Sequence, residues 1–205
     1  MGKTAADWDK AYAGPAPFGD RPCPGLVQTV ARLPVDPGAA LMIADGDGRN
    51  GTWLATNGWH VTAVDHSPAG TEHALARDAA AGVSAVRITD DLETWSPGTL
   101  TVAFATILYL QVPCPLRHRA LQVAADALSI GGHLFIEGFA RTADEDAPLG
   151  PPGEVRWDLP TTLRWLEATQ HFTVLEALAG TILLDDGPRH AGVARVMRLL
   201  VRRER

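Results

Sequence analysis

Cysteine is too scarce here for a disulfide framework: Cys23 and Cys114 are the only two, in unrelated contexts, and both are expected to be free thiols in a reducing compartment. A surplus of positive charge is also missing. Lys and Arg number 18 against 24 Asp and Glu, a formal net charge of -6, whereas phosphate-backbone binding needs clustered cations, so nucleic acid is not the expected partner. The one dense basic patch, Arg202-Arg203-Glu204-Arg205, is expected to be a frayed, solvated tail. No apolar run approaches bilayer-spanning length, and Met1-Gly2-Lys3-Thr4 leads into an acidic amphipathic stretch instead of a signal-peptide core; no membrane partner and a cytoplasmic location are expected. His60, His73, His118, His133 and His171 lack ligand spacing, and Cys114-Pro-Leu-Arg-His118 has no second cluster to complete it, so no metal site is expected. There is no internal repeat and no low-complexity segment.

What is present suits a globular chain: 46% hydrophobic and 20% charged residues over 205 positions, enough for one good-sized core, so residues 1–205 are expected to form one domain. Thr4 is a candidate N-cap for a helix carrying Trp8 and Tyr12 at i and i+4. A Pro- and Gly-rich stretch follows, then a helix from about Gly25 to Leu33. Strands are expected at Leu41–Ile43, Val61–Val64, Val83–Ile88, Leu100–Leu108 and His133–Glu137. Helices are expected near Thr52–Ala55, from Pro68 to Ala81 behind a Ser67 cap, from Pro115 to Leu128 closed by Gly131-Gly132, and near Thr161–Ala168. Residues 1–38 read as N-terminal helices or lid, and 141–159 as a lid-like loop. Phe172–Leu184 and Val193–Val201 read as a hairpin joined by Asp185-Asp186-Gly187-Pro188. The alternation predicts an α/β fold: a doubly wound, mainly parallel Rossmann-like sheet with a C-terminal antiparallel β-hairpin.

The informative stretch is Leu41 to Asp65, in which strand, glycine loop, helix, turn, strand and acid follow one another. Gly46-Asp47-Gly48-Arg49-Asn50-Gly51 satisfies G-x-G-x-x-G, with Asp65 about where a dinucleotide fold places its ribose-binding acid. A pyrophosphate would meet Asp45 and Asp47. Like charges about 4 Å apart repel by about 1 kcal/mol in water and about 4 kcal/mol near a protein surface. S-adenosylmethionine carries an ammonium and a sulfonium and no phosphate, so the same carboxylates favour it. Asp65 would then hold the ribose hydroxyls, and Asp91, at the end of the third strand, would accept from the adenine amino group.

These residues also carry a family likeness. ADGDGRNGTWLATNGWHVTAVDHSPAG resembles the cofactor loop and second strand of class I S-adenosylmethionine-dependent methyltransferases, most like the tellurite-resistance and thiopurine methyltransferase branch. WDKAY resembles that branch's W-D-x-x-Y, Phe18-Gly19 its F-G, Asp91-Leu92 its acid-plus-apolar pair, GGHLFIEGF its G-G-x-L-x-x-E-G-F, and His190-Ala191-Gly192 its H-x-G. The resemblance implies the class I methyltransferase fold, with S-adenosyl-L-methionine as cofactor and S-adenosyl-L-homocysteine as product. It further implies that Asp45, Gly46, Asp47, Gly48, Arg49 and Asn50 wrap the methionine part, Asp65 the ribose and Asp91-Leu92 the adenine, while Ala105 and Tyr109 line the site near the methyl group. The usual acid at the end of strand one falls on Met42, and the first loop glycine on Ala44.

Around this site Trp8 and Tyr12 read equally as a core stripe or a lid over the cofactor, Phe18 belongs with them, and His66 reads as a rim residue. His190 or Tyr109 would serve if a hydroxyl or amine acceptor needs a base; Arg141 and Arg156 are candidates for an anionic substrate, against the default of solvated arginine, and Arg189, in the hairpin turn, reads equally as a substrate contact or an ordinary turn residue. The expected function is methyl transfer to a small-molecule acceptor through S, Se, Te, O or N. Two alternatives stay open: a degenerate cofactor-binding protein without turnover, and an NAD(P)-dependent oxidoreductase.

Overall fold

A computed structural model describes residues 3–14, 16–141, 149–169 and 171–205, and in it the strand-like runs join into one seven-stranded sheet. The elements, in chain order, are α1 (Ala5–Tyr12), α2 (Pro24–Val30), β1 (Ala39–Ile43), α3 (Arg49–Thr56), β2 (His60–Asp65), α4 (Pro68–Ala81), β3 (Val86–Thr89) and β4 (Val102–Leu108), then α5 (Cys114–Ala127), β5 (Leu128–Phe139), α6 (Leu159–Thr169), β6 (Phe172–Gly187) and β7 (His190–Arg203). Local chemistry sets many of the ends. Thr4 and Asp7 form a reciprocal capping box at α1; the Ser67 hydroxyl accepts from the Gly70 N–H at the start of α4, and Gly82 closes that helix in the left-handed region.

The strand order is β3-β2-β1-β4-β5-β7-β6. β1 to β5 run parallel, and β7 lies antiparallel between β5 and β6. The period of two along each strand splits the apolar residues between two cores. From β1, Leu41 and Ile43 pack on one face with Leu121 of α5 and Leu166 of α6, while Ala40 and Met42 pack on the other with Leu26 of α2 and Leu54 of α3. The order in which strands are added reverses between β1 and β4, and the crevice at their carboxyl ends is where a ligand site forms in such sheets.

Three expectations are corrected. β5 begins at Leu128 without an intervening turn: Gly131 takes φ 81° inside the strand, and the register against β4 shifts between Val102 and Phe104. The hairpin turns at Pro188-Arg189, because Gly187 still pairs with His190. The basic tail is not frayed. Arg202 and Arg203 belong to β7, and Arg203 donates to the carbonyls of Ala125 and Leu128 at the end of α5, where a cation offsets the helix dipole.

Of the segment expected to form a lid, residues 142–148 lie outside the described residues. Of the rest, Leu149 bridges to Ala194, and Trp157, whose side chain is buried, bridges to Ala140. Among the described residues no helix is long and apolar enough to cross a membrane.

Candidate active site

The crevice at the switch point is a cavity of about 570 Å³, within the usual range for small-molecule sites. Its floor is the loop that leaves β1. Ala44 and Gly46 both have positive φ, 58° and 59°, so the chain turns sharply twice before α3 begins. Ala44 thus holds a backbone conformation that favours glycine, at a strain of about 1–2 kcal/mol. A side chain at Gly46 would collide with the Tyr12 hydroxyl, and one at Gly48 would lie 2.6 Å from the Ala74 Cβ. The loop is therefore clamped between α1 and α4.

Asp65 ends β2 beside this loop. Its two carboxylate oxygens accept from the Gly46 N–H and the Ser67 N–H, each at 2.9 Å, which fixes it against the floor, and burial raises its pKa. Free lone pairs remain on both oxygens for a diol.

Asp45 and Asp47 differ from their simplest reading as loop charges. The Asp45 carboxylate accepts from the Gly51 N–H at 3.2 Å and pairs with Arg87 of β3, which also binds Asp78 and Thr52 in a buried network. Burial pushes the Asp45 carboxyl up to about 6 against the pull of Arg87. Asp47 pairs with Arg77 at 3.2 Å, and Arg77 also reaches Asp20 at 3.0 Å. Each arginine is thus shared by two acids, leaving both groups net negative but much less charged than two bare carboxylates. Met42 is buried in the core and its sulfur accepts from the Thr106 hydroxyl at 3.0 Å.

Aromatic side chains make the roof. Trp8 stacks on Tyr12 with ring centroids 6.0 Å apart, and Phe18 lies 6.1 Å from Trp8. Asp9 holds this roof in place: its carboxylate accepts from the Ser67 hydroxyl at 2.6 Å and the Ala69 N–H at 3.1 Å. On the far side the stretch around Phe18 docks on the hairpin, where the Arg189 N–H donates to the Pro17 carbonyl at 3.0 Å and a side chain at Gly187 would strike the Gly19 backbone.

At the end of β4, Tyr109 has φ 51° and its hydroxyl donates to Glu137 at 2.8 Å. Glu137 also pairs with Arg198 and accepts from the Cys23 thiol at 3.3 Å. Burial raises the Tyr109 phenol well above its usual range, so it is a committed donor and not a base. Tyr109→Phe is expected to lower stability by about 1–3 kcal/mol, the penalty for leaving the buried Glu137 oxygen short of a donor, with cofactor affinity unchanged; chemical denaturation and calorimetry check both. His190 also borders the cavity, with its ring 4.5 Å from Tyr109 and 4.8 Å from Phe18.

The cavity brings together Trp8, Tyr12, Phe18, Asp45, Gly46, Asp47, Arg49, Asn50, Asp65, His66, Asp91, Leu92, Tyr109 and His190. It leaves out five residues named from the sequence. Gly48 caps α3 against Ala74; Ala105 points into the core beneath β4; Arg141 and Arg189 are exposed outside the cavity, and Arg156 also lies outside it. It adds Lys3, Thr4, Glu93, Gln111, Val112 and Leu116. Gln111 and Val112 follow the end of a strand at the switch point, a positional signal the sequence carried; Lys3 and Thr4 arrive only through the docking of α1.

No family model matches the chain, and no curated protein matches it. Solved structures do. A protein studied for the conversion of a disulfide bond into a thioacetal group during echinomycin biosynthesis superposes with a TM-score of 0.72 at 19% identity, over 98% of this chain and 93% of the other. TehB from Haemophilus influenzae gives 0.71 at 16% identity, over 98% and 67%. An S-adenosylmethionine-dependent methyltransferase from Clostridium acetobutylicum gives 0.67 at 11% identity, over 98% of both chains. The seven-stranded order and these superpositions together give this chain the class I methyltransferase fold.

Proposed function

We propose that this protein transfers a methyl group from S-adenosyl-L-methionine to a small-molecule acceptor and releases S-adenosyl-L-homocysteine. The observation that carries this is the meeting, in one cavity at the switch point, of the glycine loop after β1 with the acid ending β2 and the acid pair after β3. The residues fit the cofactor. The glycine floor admits close backbone approach, Asp65 is held where a ribose diol would be met, Asp91 and Leu92 suit an adenine edge and face, and the acidic floor suits an ammonium. The group, when bound, supplies an already activated methyl; the protein's part is alignment and exclusion of water beneath the aromatic roof. The strand order supports this cofactor over a dinucleotide, whose classic fold runs 3-2-1-4-5-6, whereas here an antiparallel strand separates β5 from β6. The motif likeness favours the tellurite-resistance and thiopurine branch, and the two free cysteines fit a cytoplasmic setting.

Calorimetry with S-adenosylmethionine, S-adenosylhomocysteine and NADH tests the assignment. Saturable binding of the first two and none of NADH is expected; a response to NADH alone would sink it. Binding of both sulfur compounds, with no methyl transfer to any thiol, chalcogen oxyanion, hydroxyl or amine, would identify a cofactor-binding protein without turnover.

A further inference from the structure

The wall facing the glycine loop bears on the acceptor. His190 is 2% exposed and borders the cavity, yet neither ring nitrogen has a hydrogen-bond partner among the described residues. Asp186 Oδ2, likewise without a hydrogen bond, lies 3.9 Å from Nδ1 and 3.8 Å from Arg49. Buried polar atoms are nearly always satisfied, so a buried imidazole without a hydrogen bond at the border of a cavity points to a ligand as its partner. With the carboxylate on the Nδ1 side, Nε2 is the nitrogen available to it. The His190 ring packs against Phe18, Tyr109 and Phe139 at centroid distances of 4.8, 4.5 and 5.4 Å; Phe18 and Tyr109 also border the cavity, together with Trp8 and Tyr12, an aromatic lining that suits a flat apolar ring.

Charge narrows the class further. Six carboxylates border the cavity against two cations, Lys3 and Arg49. Arg49 is engaged with the Arg21 carbonyl at 2.8 Å and with Asp186 at 3.8 Å; Lys3 lies over the Trp8 ring at 4.5 Å. An oxyanion would meet a net negative wall. The groups facing His190 are Asp186 on β6, Arg49 on α3, Glu137 on β5 and Tyr109 after β4. Burial holds its imidazole below the ordinary range, so it is neutral and able to accept a proton at pH 7.

Resting on the methyl-transfer reading above, we propose that the acceptor is an uncharged phenolic hydroxyl, with His190 Nε2 as its base and Asp186 as the positioning residue. The O–H bond breaks toward Nε2 as the oxygen's lone pair forms the new O–CH3 bond; the sulfonium S–CH3 bond breaks with its electron pair left on sulfur. His190 then gives the proton to solvent. A soft or already anionic chalcogen acceptor would need no such base.

Failure of the protein to bind S-adenosylhomocysteine overturns the underlying methyl-transfer assignment and is distinguishable from failure of the acceptor proposal. In the S-adenosylhomocysteine-loaded protein, 4-methylphenol is expected to bind at least about tenfold more tightly than benzoate or selenite. With S-adenosylmethionine it is expected to be methylated. His190→Asn should keep S-adenosylhomocysteine affinity within about threefold and lose at least about 100-fold in transfer to the phenol. The acid limb of kcat/KM should fall below the ordinary imidazole range. Asp186 raises the His190 pKa, so Asp186→Asn should move that limb to lower pH and Asp186→Glu should restore it, a shift a merely structural carboxylate would not produce. Benzoate or selenite binding as tightly as the phenol, a phenol that does not bind or is not methylated, or a His190→Asn variant with unaltered rate and pH profile overturns the proposal.

Discussion

Arg87→Met is expected to lower the unfolding free energy by about 3–5 kcal/mol, the range for removing one partner of a buried ion pair. The Arg87, Asp45 and Asp78 side chains are 2, 2 and 5% exposed. Methionine would fill much of the volume while stranding two carboxylates, with little left to hold Asp45 except the Gly51 N–H. At about 2–4 °C per kcal/mol for a chain of this size, the midpoint should drop by roughly 6–20 °C in a thermal scan. The deficit should also depend on pH. Burial already raises Asp45 to about 6 with Arg87 in place, and losing the guanidinium raises it further. A carboxyl whose folded pKa lies above its unfolded value favours folding while protonated, and that contribution is lost as pH rises through the folded pKa. The difference from wild type should therefore be smaller at pH 5 than at pH 8. Asp45→Asn in the Arg87→Met background should recover part of it. A midpoint within 2 °C of wild type at pH 8, where roughly 1 kcal/mol is all such a shift allows, would mean that the network is not what holds the loop.

Asp65→Ala is expected to weaken S-adenosylhomocysteine binding by at least about 100-fold. Hydrogen bonds to a charged group are worth about 1.5–3 kcal/mol each, and a ribose diol would make two. The same carboxylate anchors the Gly46 and Ser67 N–H groups, so a stability loss of about 1–3 kcal/mol should accompany the affinity loss. Asp65→Asn separates the two effects: it keeps one carbonyl acceptor and should recover more stability than affinity. Calorimetry at a temperature well below the variants' midpoints, with circular dichroism to confirm the fold, makes the comparison. Unchanged affinity in Asp65→Ala would remove this residue from the site.

Much of the architecture was legible because its signals are local. The helix from Pro68 to Ala81 behind its Ser67 cap forms as expected, since an N-cap hydroxyl, a proline at the first turn and the left-handed Gly82 at its end act on their own few residues. The continuous apolar run before Tyr109 indicated a strand covered on both faces, and β4 is one. Where a distant element intervened, local signals failed. Gly131-Gly132 resembles a helix stop, yet pairing with β4 starts the strand at Leu128. The terminal arginines resemble a solvated tail until α5 presents its carbonyls to Arg203.

The site divides along the same line. The sequence alone determined the glycine loop, the acids at two successive strand ends and the α/β alternation that places them together, because spacing and capping act over a few residues. Only the tertiary structure decided that Asp45 meets Arg87 and Asp47 meets Arg77, that Ala105 faces the core, and that His190 closes an aromatic wall with Phe18 and Tyr109. Those outcomes depend on which strand and helix become neighbours, and on how burial obliges each charge to find a partner.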